Sequence, residues 1–190
     1  ATHSFVYGFV VGLILSFLYS VISLSRIPLI DKQGDLSDFR SPIIRPHLHD
    51  VTIGEHGKKF KYFQLEGYLF YGTVTQLDAI LSELNFDDIE GIVIDASRVT
   101  GFDTSAKISL GRILARHHNP ALLWYFVANS SFLDGLKGVL PRGAEFENSA
   151  KFYESINLAL EEIEENILIK DQDINTNDCL QFLDQDQLKT

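Results

Sequence analysis

GIVIDASRVTGFDTSA, residues 91–106, holds the transition from which the rest of the chain can be read. Its first residues form a continuous run of branched apolar side chains closing on Asp95, the pattern of a central strand covered on both faces. A polar turn over 97–102 follows. Asp103 then precedes Ile108, Leu110, Ile113 and Leu114 at helical spacing, until His117-His118-Asn119-Pro120 ends the pattern. Asp is a favoured N-cap and Asn-Pro an efficient stop, so the stretch predicts strand, turn and helix in that order.

The same alternation extends outward in both directions. Upstream, residues 58–71 alternate Phe60 and Tyr62 with lysines before turning apolar, which predicts a long strand with a buried far end. Val74, Leu77, Ile80, Leu81 and Leu84 follow at helical spacing, with Thr73 as a cap. Downstream, 121–128 (ALLWYFVA) predicts another buried strand, 130–140 a short helix and 145–148 a stub of strand. Ser149 then caps a helix carrying Phe152, Ile156, Leu160, Ile163 and Ile167 on one face. Strands alternating with helices give an α/β layer structure with parallel central strands.

The two ends differ from this middle. Residues 1–25 contain no Asp, Glu, Lys or Arg, and 5–24 read FVYGFVVGLILSFLYSVISL. At about 1.5 Å per residue, ~20 such residues span the ~30 Å hydrocarbon core of a bilayer, so a transmembrane helix is expected. Gly8, Gly12, Ser16 and Ser20 recur every fourth position, a small-residue stripe that lets another helix approach closely. A secretory signal would carry a basic start, a shorter apolar run and a cleavage site, and a buried helix of a soluble core seldom stays uncharged for so long. Arg26, Lys32, Arg40 and Arg45 after the run favour a cytoplasmic C-terminal side. The single Cys179 is compatible with that reducing compartment and excludes a disulfide scaffold. The absence of Met suggests a piece of a longer polypeptide. Residues 31–50, polar and broken by Gly34, Pro42 and Pro46, read as a linker or an arm laid over a neighbour. The polar, acidic end after Lys170 reads as disordered. The division expected is therefore a membrane helix over 1–26, a linker over 27–50, an α/β domain over 51–170 and a tail over 171–190.

The 190 residues carry 16 Lys+Arg against 26 Asp+Glu, a formal charge of −10. Such a balance argues against holding nucleic acid by phosphate neutralisation. The charge is unevenly placed: 26–62 carry 7 basic and 5 acidic residues, 63–144 carry 6 and 9, and 145–190 carry 3 and 12. A basic juxtamembrane face can meet anionic headgroups while the acidic end stays clear. Asp103, Thr104 and Ser105 stand out because they begin a helix beside the C-terminal edge of a strand, where open α/β sheets place their functional loops. These residue types are also what any helix N-terminus prefers. His47-Leu48-His49-Asp50 and His117-His118 lack a third metal partner and read as surface. Trp124, Tyr125 and Phe126 read as core, and the 161–165 acidic run as a solvated helix face. No nucleophile–base pair, phosphate loop or zinc spacing occurs, so neither enzyme activity, a cofactor nor a metal is expected.

An apolar helix, a proline-broken polar linker, GYLFYGT at 67–73 and GIVIDASRVTGFDTSA at 91–106 together resemble the C-terminal end of a sulfate permease (SulP) family transporter with its STAS domain. Asp103-Thr104-Ser105 is similar to the D-S/T-S-G signature of STAS domains, with Ala106 standing where the signature has Gly. The fold class implied is a STAS-like β-sheet with alternating helices, preceded by one transmembrane α-helix. The resemblance implies a secondary transporter of sulfate, bicarbonate, chloride, oxalate or similar anions, with its substrate site among earlier membrane helices and none here. Implied partners are the remaining transmembrane domain, a second copy of the chain, membrane lipid, and a kinase or other regulatory protein. Implied surroundings are a plasma or vacuolar membrane with the STAS domain in the cytoplasm. In bacterial anti-sigma-factor antagonists, which share the STAS fold, a hydroxyl of this motif is phosphorylated; by matching positions Thr104 or Ser105 would be the acceptor, supported by Asp95 and Asp103. The alternatives are a single-span signalling adaptor switched at the same motif, and a domain that binds nucleotide near a loop over 95–103.

Overall fold

A computed structural model of the chain describes residues 2–25, 29–117, 119–140 and 144–187, with side chains over 6–23, 29–117, 119–140, 146 and 148–172. Helix α1, Thr2–Ser25, opens the chain. Within it Val6–Ser23 has mean hydropathy 2.1 and, among the described residues, none that is buried. By length and composition it can cross a bilayer.

The remainder builds three layers around five strands: β1 Ile30–Asp35, β2 Phe60–Leu69, β3 Gly91–Phe102, β4 Leu123–Val127 and β5 Ala150–Tyr153. They lie side by side in chain order. β1 runs antiparallel to β2, and the other neighbours are parallel. Parallel neighbours require crossovers. Helices α3 Tyr71–Glu83, α4 Thr104–Arg116 and α5 Ser130–Lys137 supply them on one face of the sheet. Helices α2 His47–His56 and α7 Ile156–Gln187 cover the other face. Along β3, Ile92, Ile94 and Ala96 enter the α3/α4/α5 core while Val93 enters the α2/α7 core, the period-2 alternation of a strand. Trp124 and Tyr125 of β4 are each completely buried, one in each core. Burial of side chains this large contributes on the order of 2–3 kcal/mol apiece.

Sequence and structure part company in five places, each with a physical cause. Residues 97–102, expected as a turn, continue β3 to Phe102, because β2 pairs with it as far as Leu69↔Phe102. Only Val99 of residues 97–100 is buried, which left no apolar run to read. Gly67 at φ +86° sits where the β2 register shifts, and a glycine accepts that left-handed conformation without strain. Residues 31–50, expected as linker, contain the edge strand β1 and the start of α2. β1 is held by backbone pairing and exposes the side chains of residues 31–33, so its sequence shows no periodicity. Residues 145–148 are helical, inside α6 Ala144–Ser149, where a strand stub is expected. Phe152 belongs to β5, paired Phe126↔Phe152, and Ser149 donates to the Phe146 carbonyl instead of capping a helix. Finally, α7 runs on to Gln187 through the expected disordered tail, since extending a packed helix needs no new nucleus. Residues 188–190 of that tail, and His118, lie outside the described residues.

Candidate functional site

Strands β2, β3 and β4 end on the same edge of the sheet, and each hands over directly to a helix. The three helix starts are capped differently. At α3 the Thr73 hydroxyl accepts from the Phe70 N–H and donates to the Phe70 carbonyl, both at 2.9 Å, so it reaches back from the third helical position. At α5 the Asn129 side chain accepts from the Phe132 N–H at 2.9 Å. At α4 Asp103 is the N-cap: Oδ1 accepts from the Ala106 N–H at 2.6 Å and from the Ser105 hydroxyl at 2.7 Å. Its own N–H donates to the Leu69 carbonyl at 3.1 Å, which ties the α4 start to the end of β2.

These contacts fix the chemical state of the cap. The Ser105 hydroxyl, then the Ala106 N–H, hold the Asp103 carboxyl below its ordinary range, so it is an anion at neutral pH. Thr104 and Ser105 are exposed, on the first turn of α4. The structure therefore brings Asp103, Thr104 and Ser105 together as the sequence expects. Asp95 is elsewhere. Eight positions back along β3, roughly 25 Å at strand rise, it points into the α2/α7 side and is 1% exposed.

Asp95 is the centre of a separate polar knot. Its Oδ2 accepts from the Tyr62 hydroxyl at 2.8 Å and from Gln64 Nε2 at 3.1 Å; its Oδ1 accepts from the Ser97 N–H at 2.9 Å and from the Ser97 hydroxyl. Burial, then the hydrogen bond to Asp95, push the Tyr62 phenol far above its ordinary range. A carboxylate saturated with donors inside a sheet is a structural anchor. With β3 continuous through 97–102, no 95–103 loop exists to cradle a nucleotide.

The surroundings of the α4 start are more apolar than the sequence suggests. Tyr71, beside Ser109 and Arg112 of α4, and Ile108 are exposed, and Lys107 lies over the Phe102 ring at 4.3 Å. Phe102 meets Phe132 edge-on at 4.8 Å. Thr104, Ile108 and Arg112 recur every fourth position on the exposed side of α4, so Ile108, expected in one apolar pattern with Leu110, Ile113 and Leu114, faces outward. His117, expected at the surface, is half-buried. His117 contacts Asp78 at 2.9 Å and stacks on Phe86. Among the described residues no three His, Cys, Asp or Glu side chains converge on a metal-sized site.

No protein-family model and no curated protein matches the sequence. Among solved structures, the chain is similar to an anti-sigma factor antagonist from Mycobacterium paratuberculosis, at 14% identity over 71% of this chain and 97% of that one, with a TM-score of 0.42.

Proposed function

We propose that this chain is the last membrane span and the cytoplasmic regulatory STAS domain of a SulP-like secondary anion transporter, with Thr104 or Ser105 as a phosphate-accepting switch. The observation that carries the reading is a pairing within one chain. An apolar helix with no buried residue over Val6–Ser23 precedes an α/β domain whose Asp103-Thr104-Ser105 motif opens α4 with both hydroxyls exposed. Water is a poor solvent for the first element, so lipid and neighbouring helices are its natural surroundings. Arginine and lysine after the span favour a cytoplasmic side for the domain. In this reading the domain supplies no substrate ligand and catalyses nothing; it supports folding, contacts a second copy, and gates through the segment joining it to the span.

Phosphorylation fits the geometry of the cap. A phosphate on Ser105 removes the donor that Asp103 Oδ1 accepts and sets a near-dianion beside a carboxylate already held as an anion. The helix N-terminus favours that charge while Asp103 opposes it, so the fold changes little and the exposed Tyr71 and Ile108 surface changes its electrostatics.

The exposure of both hydroxyls also favours a second reading, a single-span adaptor whose domain binds a kinase or other partner at the same surface. Labelled sulfate uptake by the full-length parent in sealed vesicles, with and without a proton gradient, separates the two. Deletion should begin at Leu29, because removal from 51 would strand β1. Gradient-dependent uptake that disappears on deletion supports the transporter. A start codon immediately before Ala1 sinks it and leaves the adaptor.

A further inference from the structure

Outside α1, nine large hydrophobic side chains are exposed among the described residues, and four of them fall within nine consecutive positions. Ile43, Ile44, Leu48 and Val51 are 44%, 98%, 75% and 46% exposed. The first two lie on the irregular segment before α2; Leu48 and Val51 follow at i,i+3 spacing on its first turns. An unrestrained apolar loop would fold back onto the nearest core. This one is held out.

The restraint is a single carboxylate on α7. Glu164, 2% exposed, accepts from the Ser41 N–H at 2.8 Å, the Ser41 hydroxyl at 2.5 Å and Arg45 Nε at 2.9 Å. Residues 42–44 are thus pinned at both ends, and Pro42 and Pro46 stiffen the loop further. On the far side of the clasp Arg40 donates to the Asp50 carbonyl at 3.3 Å and lies 3.8 Å from its carboxylate. A buried, multiply bonded charge is a demanding way to hold a surface loop. What it achieves is a rigid tip with Ile43 and Ile44 facing solvent.

We infer that Ile43, Ile44, Leu48 and Val51 form a wedge that inserts into the interfacial layer of the bilayer crossed by α1. The inference rests on reading α1 as a membrane span. The tether selects lipid as the occupant, and the local charge does not oppose it. Ile43 follows Ser25, the last residue of α1, by 18 positions, so the chain tethers the tip within roughly 60 Å of the membrane at full extension. Tethering makes docking intramolecular, at an effective concentration of order mM, so a small apolar wedge suffices. The segment that carries the wedge is also the one part of the chain with a basic excess, 7 against 5 over residues 26–62. Arg45 and Arg40 are nevertheless already committed to Glu164 and Asp50, so insertion is apolar in character and insensitive to salt.

Nitroxide labels on the full chain in phosphatidylcholine vesicles, in a Cys179→Ser background, test this by their relaxation with oxygen and with a water-soluble nickel chelate. A label at Leu13→Cys reports the span, Ile108→Cys the exposed side of α4, and Ile44→Cys the wedge. The wedge label should show an oxygen-to-nickel ratio several-fold above that at Ile108→Cys and below that at Leu13→Cys, unchanged on raising salt to about 0.5 M. A hydrocarbon value at Leu13→Cys with an aqueous one at Ile44→Cys overturns the wedge alone. Shielding of Ile44→Cys from both reagents overturns it in favour of a protein contact between copies. An aqueous value at Leu13→Cys overturns the membrane span and the wedge together.

Discussion

Asp95-Ala96-Ser97 and Asp103-Thr104-Ser105 are the same short pattern eight residues apart, and in both the aspartate accepts from the serine hydroxyl two positions on. Their surroundings assign them opposite tasks. Asp95 is buried in a sheet face and saturated by Tyr62, Gln64 and Ser97, so its whole bonding capacity is spent inside the fold. Asp103 spends one oxygen on its helix and leaves Thr104 and Ser105 exposed. The pattern alone does not decide between anchor and switch. Burial does, through the difference between a donor set that water can replace and one that it cannot.

The largest expected effect breaks or upholds that contrast. Asp95→Ala leaves the Tyr62 hydroxyl, the Gln64 amide and the Ser97 N–H without their acceptor in a dry layer, a loss of about 3 kcal/mol or more. Urea unfolding of the full chain in detergent measures it. Asp103→Ala should lose less, about 1 kcal/mol for a lost N-cap, since the other donor it frees, the Ser105 hydroxyl, is exposed. Equal losses would end the distinction between the two sites.

Next in size is the Glu164 clasp. Glu164→Ala strands Arg45 and Ser41 and should destabilise by about 2–3 kcal/mol, below the range for a fully buried pair because Arg45 can swing toward water. Glu164→Gln keeps an acceptor for the Ser41 N–H and should lose less. Hydrogen exchange at Ser41 should rise in both variants, and most in Glu164→Ala. Unchanged exchange would mean that the loop is held by something other than the carboxylate.

A third contrast sets the two sides of α4 against each other. A Cβ on Gly111 would stand 2.3 Å from the Val139 carbonyl oxygen, so Gly111→Ala forces the 136–140 segment away at about 1–3 kcal/mol. Ile108→Ala, on the exposed side, should leave the melting temperature nearly unchanged while weakening any partner bound there. Thermal unfolding of both variants tests the assignment of faces.

The α4 start was legible because its signals are local: an apolar run, an N-cap and a 3.6-residue period all lie within residues 91–116. The clasp was not, because Glu164 finds Ser41 123 residues away and Arg45 119 residues away, and no pattern in either stretch names the other. β1 was invisible for a related reason. An edge strand is recruited by the free backbone groups of β2, and IDKQGD advertises nothing through its side chains. The misreading of 149–167 came from a coincidence of period: Phe152 falls four residues before Ile156, and parallel pairing with β4 decides that it is strand.

The smallest effect concerns the protonation of the cap and bears most directly on the switch. The Ser105 hydroxyl is the largest of the influences that depress Asp103, so Ser105→Ala should move that carboxyl back toward its ordinary value, a shift that an NMR titration of the side chain reads. The sign for stability follows. A carboxyl depressed on folding stabilises above its unfolded value, about 3.9, and that contribution fades as pH falls through the folded value. Glu90 and Glu162 act in the same direction. Burial raises each, but Lys170 and Lys59 outweigh it at Glu90, and Lys151 and Tyr153 at Glu162. Wild type should therefore weaken below about pH 4, and Ser105→Ala should lose less than wild type over the same interval. Phosphorylation of Ser105 removes the same donor and adds negative charge, so it should raise the Asp103 value beyond that of Ser105→Ala. An Asp103 titration identical in wild type, Ser105→Ala and the phosphorylated chain would show that the hydroxyl and the carboxylate are not coupled, and the cap would then be ordinary capping with no switch in it.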